Sequence, residues 1–223
     1  MRSFALAAGP VRTMLCLGAH ADDIEIGAGA TVARLAATHP GMRVVWVVFS
    51  AHGPRADEAR ASARRFLGGE VVAEVRVERF RDGFFPYDGA RLKEYFERLK
   101  AEVDPDLVFT HRLADRHQDH RTVSELTWNT WRDHVVLEYE IPKVEGDLGQ
   151  PNLYVPLSDR ERSDKVERLW DAFESQRTRR WFRPETFNAL MRIRGLECNA
   201  ESGYAEAFHA HKMAWSIGES TQA

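Results

Sequence analysis

The sequence predicts an α/β fold: a Rossmann-like, mostly parallel sheet with helices on both faces, strand order 3-2-1-4-5, and a less regular C-terminal extension. Three observations predict it. Apolar runs rich in β-branched residues alternate with segments of helical period over the first two thirds of the chain. That alternation reads β-α-β-α-β-α-β, and parallel strands require such crossovers. The densest clusters of chemically active residues then fall directly after strands, where open α/β sheets place their ligands.

The first strand candidate is Met14-Leu15-Cys16-Leu17, followed by a helix with Val32, Leu35 and Ala36 on one face. Val44 to Phe49 is the second strand, and Ala59, Ala63, Phe66 and Leu67 mark the next helix. Val71 to Val77 is the third strand, followed by a helix carrying Leu92, Tyr95, Phe96 and Leu99. Asp104-Pro105-Asp106 turns the chain into the fourth strand, Leu107-Val108-Phe109. A polar loop over 111–120 leads to a helix with Val123, Leu126 and Thr127, and Val135 to Ile141 reads as a fifth strand. Beyond it come a Gly-containing acidic loop, Lys143 to Pro151, and a helix opened by a Ser158/Glu161 capping box with Val166, Leu169, Trp170 and Phe173 inside. Phe208 to Met213 alternates as a returning strand, and Ile217 to Ala223 reads as a frayed tail. A single domain is expected, with a catalytic core over about 13–140 and a substrate or lid region over about 141–216.

The chain has 223 residues, with 31 Lys+Arg against 34 Asp+Glu for a formal charge of −3. Length suffices for a full core without disulfides or a structural metal. Near-neutral charge argues against a nucleic-acid footprint. No apolar stretch approaches the ~18 residues of a membrane span, and Phe4 to Ala8 is too short for a signal peptide. Cys16 and Cys198 form neither a disulfide framework nor a cysteine zinc site, so a reducing cytoplasm is the expected compartment.

Gly18-Ala19-His20-Ala21-Asp22-Asp23 follows the first strand, and His117-Gln118-Asp119-His120 follows the fourth. In a 3-2-1-4 order these strands are neighbours, so the clusters converge at the switch point. Two imidazoles and one carboxylate make a His2Asp set with room for a water, the pattern of a catalytic zinc. The second aspartate is free to take a proton, and His117 to stabilise an oxyanion with Asp119 orienting its ring. Taken alone, Asp22-Asp23 also fits a helix N-cap, and the two histidines a surface loop. Arg81-Asp82-Gly83 after the third strand fits a sugar-hydroxyl grip or a salt-bridged turn. Arg55, with Ser50 and His52 at the end of the second strand, fits the opposite wall of the site or a polar loop. Gln176 to Pro184, with four arginines and Trp181, reads as an anion clamp or as the solvated end of a helix stopping before Pro184. Gly27-Ala28-Gly29 lacks the spacing of a dinucleotide loop.

His20-Ala21-Asp22-Asp23, Arg60 to Gly68, Arg81-Asp82-Gly83 and His117-Gln118-Asp119-His120 together resemble the PIG-L/LmbE family of zinc-dependent N-deacetylases, with weaker similarity through Glu201 to Phe208. The resemblance implies that His20, Asp23 and His120 bind zinc (or another divalent transition metal), that Asp22 is the general base, and that His117 is the second catalytic imidazole. It implies attack of a metal-activated water on an acetamide carbonyl, with an N-acetylated amino sugar or glycoconjugate as the small-molecule partner. Ala21 stands where the family usually has proline. Two other readings are a catalytically inactive sugar-binding or scaffold member of the fold and a metal-dependent phosphoesterase. The aromatic-rich C-terminal third offers interface material for a homo-oligomer.

Overall fold

A computed structural model describes residues 11–213; the readings of Phe4–Ala8 and of the tail from Ile217 lie outside them. Seven strands form one mixed sheet: β1 (Thr13–His20), β2 (Arg43–Ser50), β3 (Val72–Val77), β4 (Leu107–His111), β5 (Val135–Tyr139), β6 (Leu153–Pro156) and β7 (Ala205–His209). Their order is β3-β2-β1-β4-β5-β7-β6. The first five are parallel in the expected order, and β7 then β6 continue the sheet antiparallel.

The central strands are buried on both faces, which is why they read as continuous apolar runs. Successive side chains nonetheless go to opposite sides. Met14, Cys16, Val44 and Trp46 enter one core with the helices α1 (Asp23–Thr38), α2 (Pro54–Leu67) and α5 (Asp159–Ala172). Leu15, Leu17, Val45 and Val47 enter the other, beneath α3 (Gly89–Glu102) and α4 (Gln118–Thr130). The Ser158/Glu161 capping box forms at the start of α5.

The C-terminal third differs from its sequence reading in three places. The last strand is Ala205–His209, four residues shorter at its far end than the alternation suggests, because only this stretch pairs with β5 and β6. His211 falls beyond it and bonds Glu138, while His209 faces Glu140. Strand β6 lies between two prolines and pairs only with β7, so local pattern gives little sign of it. Pro184 begins a helix rather than following one: it opens α6 (Pro184–Glu197), where a missing N–H costs nothing. The arginine-rich segment therefore links two helices, through a 3-10 turn at Glu174–Gln176.

Candidate metal centre and active site

The C-terminal ends of β1 and β4, adjacent in the sheet, carry His20 and His111. After β1 a two-residue turn enters α1, whose buried first turn holds Asp23, with Asp22 just ahead of it. The His20 N–H donates to Asp23 Oδ2 at 2.6 Å, which closes this turn. After β4 the loop runs to His117, the N-cap of α4, whose Nδ1 accepts from Asp119 N–H at 3.3 Å. His120 follows one turn later on the buried face.

His20 Nδ1 lies 3.2 Å from His120 Nε2 and 3.4 Å from Asp23 Oδ2, and His120 Nε2 lies 3.5 Å from Asp23 Oδ1. A tetrahedral zinc site with bonds of about 2.1 Å has edges of about 3.4 Å. The three donor groups are thus spaced as three corners of such a tetrahedron. Both rings are held so that the correct nitrogen faces inward. His120 Nδ1 is 3.1 Å from Asp115 Oδ2, and His20 Nε2 is 3.1 Å from Asp82 Oδ1 and 3.3 Å from Asp119 Oδ2. Carboxylates behind both imidazoles fix the tautomer and raise ligand basicity. The donor set, its spacing and this backing fit zinc.

Two overlapping triads, His20/His117/Asp119 and His111/Asp115/His120, also come within reach of a cation, but their donors are engaged. Asp119 accepts from the N–H groups of Gly83 (2.6 Å) and Phe85 (3.1 Å). Asp115 accepts from His117 N–H (2.7 Å) and Lys143 Nζ (2.8 Å), and His111 Nε2 accepts from Ala19 N–H (2.9 Å).

Asp22 is 2% exposed, and its Oδ2 has no hydrogen-bond partner among the described residues. Burial, then the neighbouring Asp23 charge, raise its pKa to about 6, against the pull of Arg55 and His20. Burial alone would raise Asp23 too, but His120, His111 and His20 outweigh it and hold Asp23 well below the usual carboxylate range. Two adjacent aspartates are thereby driven apart: one a permanent anion, the other able to exchange a proton near neutrality. For His120, burial and the neighbouring His111 lower the pKa to about 3. Asp82 is lowered to about 2, chiefly by its hydrogen bond with His20.

The site opens into a cavity of about 250 Å3, walled by Asp82 and Arg55 on one side, by 141–145 on another, and by Gln176, Arg179 and Trp181. His20, Asp22, Asp23, His117, His120, Arg55 and Asp82 all line it. Two expectations differ. Asp119 does not orient His117: its carboxylate is spent on the loop at Gly83 and on His20, while its backbone N–H caps onto the His117 ring. Arg81 lies outside the cavity wall, with its guanidinium 3.4 Å above the Phe84 ring. Gly83, at φ +76°, makes the backbone approach to Asp119 that a side chain would strain.

Sequence reasoning missed His111 and Asp115. His111 is the last residue of β4, and its position at a strand terminus was the available signal. Asp115 carries no signal apart from membership of the polar loop, since only the folded loop brings it behind His120. Glu25, fully buried beneath the site, is pushed well above its ordinary pKa by burial.

The PIG-L family, described as GlcNAc-PI de-N-acetylase, matches residues 15–131. The uncharacterized deacetylase YaiS of Escherichia coli K12 is 30% identical over 138 residues, which span 58% of this chain and 74% of that protein. Among solved structures, the N,N'-diacetylchitobiose deacetylase of Pyrococcus horikoshii, bound to an inhibitor, superposes with a TM-score of 0.69 at 19% identity, covering 90% of this chain and 84% of that one. The 4-carboxy-2-hydroxymuconate hydratase GalB of Pseudomonas putida KT2440 gives 0.65 at 18%, covering 94% and 100%. At such identities the structural likeness carries the fold alone, and the hydratase shows that the fold does not fix the reaction. The sequence match spans both site clusters and more than half the chain, and on it the chain belongs to the PIG-L family of de-N-acetylases.

Proposed function

We propose that this protein is a zinc-dependent hydrolase that removes the N-acetyl group of an amino sugar or glycoconjugate. One observation carries the reading: the His20/Asp23/His120 triangle has tetrahedral edge lengths, and Asp22, with one oxygen unpartnered among the described residues, lines the same cavity. Zinc held by these three residues would supply Lewis acidity to the amide carbonyl and to the attacking water. Asp22 takes the proton of that water and returns it to the departing amine. His117 uses Nδ1 to accept the Asp119 N–H, so its Nε2 carries the proton offered to the developing oxyanion. Arg55, whose Nη2 is 3.5 Å from Asp22 Oδ1, and Asp82, which lines the same cavity, are placed to bind sugar hydroxyls. Arg81 would reach substrate only by leaving Phe84. The protein would act as a single domain in a reducing compartment; both of its cysteines are buried thiols, and among the described residues no helix is long and apolar enough to cross a membrane.

The test is metal content of the purified protein together with acetate release from N-acetylglucosamine conjugates, with and without chelator. About one zinc per chain and chelator-sensitive acetate release support the reading. Asp22→Asn should keep zinc and lose about 10^2–10^4 in kcat, whereas His120→Ala should lose zinc. Phosphate release from phosphomonoesters in place of acetate would favour a phosphoesterase. Tight sugar binding without turnover would favour an inactive member.

A further inference from the structure

Glu206 lies far in sequence from both metal clusters and does not line the site cavity. Glu206, on β7, reaches the middle of α1, where its two oxygens accept from Ala30 N–H at 2.9 Å and Thr31 N–H at 2.7 Å. Lys165, on α5, donates to Glu206 at 2.5 Å and to the Ile26 carbonyl at 2.7 Å. Both side chains are 2% exposed.

In an uninterrupted α-helix, the N–H of residue 30 bonds the carbonyl of residue 26. Here both groups also bond the ion pair, so the chain 30-N–H to Glu206 to Lys165 to 26-C=O links the two ends of that rung. Gly27 and Gly29 allow close approach at the same point, pressed by Tyr139 and Phe66 respectively. Residues 22–26, on the N-terminal side of this rung, contain Asp22 and Asp23.

We propose that Lys165 and Glu206 are positioning residues that set the first turn of α1, and with it Asp22 and Asp23, against His20 and His120. The inference rests on the zinc reading of that site. The pair touches neither metal donor nor cavity wall; it acts through the helix backbone. A buried ion pair is weak as a source of stability, and well-packed apolar residues of similar volume often replace one at no cost. Its use here is geometric.

The experiment is Lys165→Met/Glu206→Leu, which strands no buried charge and releases the backbone of residues 26, 30 and 31 from the pair. Urea unfolding should show unchanged or raised stability. Zinc affinity, measured by chelator competition, should nevertheless fall about tenfold or more, the loss that follows removal of outer-shell support. The visible spectrum of the cobalt-substituted protein should shift, and kcat for an N-acetylglucosamine glycoside should fall while KM holds. Arg34→Met is the control. It removes the Arg34–Glu161 pair between α1 and α5 but leaves residues 26, 30 and 31 bonded, and should leave zinc affinity and spectrum unchanged.

A stable double variant with wild-type zinc affinity and cobalt spectrum overturns the inference alone. Loss of affinity in Arg34→Met to the same degree also overturns it, by reducing the pair to general docking. Wild-type protein that binds neither metal overturns the zinc reading, and this inference with it.

Discussion

Asp115→Asn tests how far the metal centre depends on groups that never touch the metal. Oδ1 of Asp115 accepts from His117 N–H, and an asparagine oxygen can keep that bond. Oδ2 is 3.1 Å from His120 Nδ1 and 2.8 Å from Lys143 Nζ. In the variant an amide nitrogen, a donor, faces both. His120 relieves the conflict by moving its proton to Nε2, the nitrogen directed at His20 and Asp23, where it blocks the metal. Binding then requires the unfavourable tautomer, with a buried donor left facing a donor, at about 1–3 kcal/mol. At 1.4 kcal/mol per decade this weakens zinc binding about 5- to 150-fold, in line with losses of ~10–100-fold for outer-shell partners. Lys143 retains Asp147 at 2.7 Å, so the variant should fold. Chelator competition on folded protein measures the effect. Unchanged zinc affinity would show that Asp115 does not govern the His120 tautomer.

His117→Ala should keep its zinc and lose about 10^2-fold or more in kcat; full turnover in acetate release would remove His117 from the chemistry. Gly27→Ala should destabilise the protein by about 1–3 kcal/mol in urea unfolding despite the better helix propensity of alanine, because its Cβ would sit 2.5 Å from Tyr139 Cγ and 2.8 Å from Tyr139 Cβ. A more stable variant would show that β5 yields easily there. The hydrogen bond from Arg34 lowers Glu161 from 4.5 to about 2. Between these values the unfolded chain binds more protons, so the contribution is present above about 4.5 and is lost as the pH falls through about 2. Unfolding of chelated protein across this range should show a smaller acid loss for Arg34→Met than for wild type; parallel curves would sink the assignment.

The five parallel strands were legible because strands buried on both faces must be apolar throughout, and the crossovers between them must be helices with a single apolar stripe. The two metal clusters were legible for a related reason. Strand ends at the switch point of such a sheet converge, so His20, Asp22, Asp23, His117 and His120 could be placed together from strand order alone. Residues whose neighbours lie far along the chain were not legible. Asp115 stands behind His120 only when the 112–117 loop folds back, and Asp119 turned out to hold the Gly83 loop and His20 rather than its near neighbour His117. Strand β6 exists because β7 offers it an edge. Lys165 and Glu206, 41 residues apart, meet against the backbone of a helix at residues 26–31 that neither sequence neighbourhood mentions. The sequence by itself determined which elements form and which donor types gather at one sheet edge, because periodicity and strand order are local and topological facts. Only the tertiary structure decided which nitrogen of each imidazole faces inward and which aspartate can exchange a proton near neutrality, because both follow from burial and charge at a few ångströms, supplied in large part by residues distant in the chain.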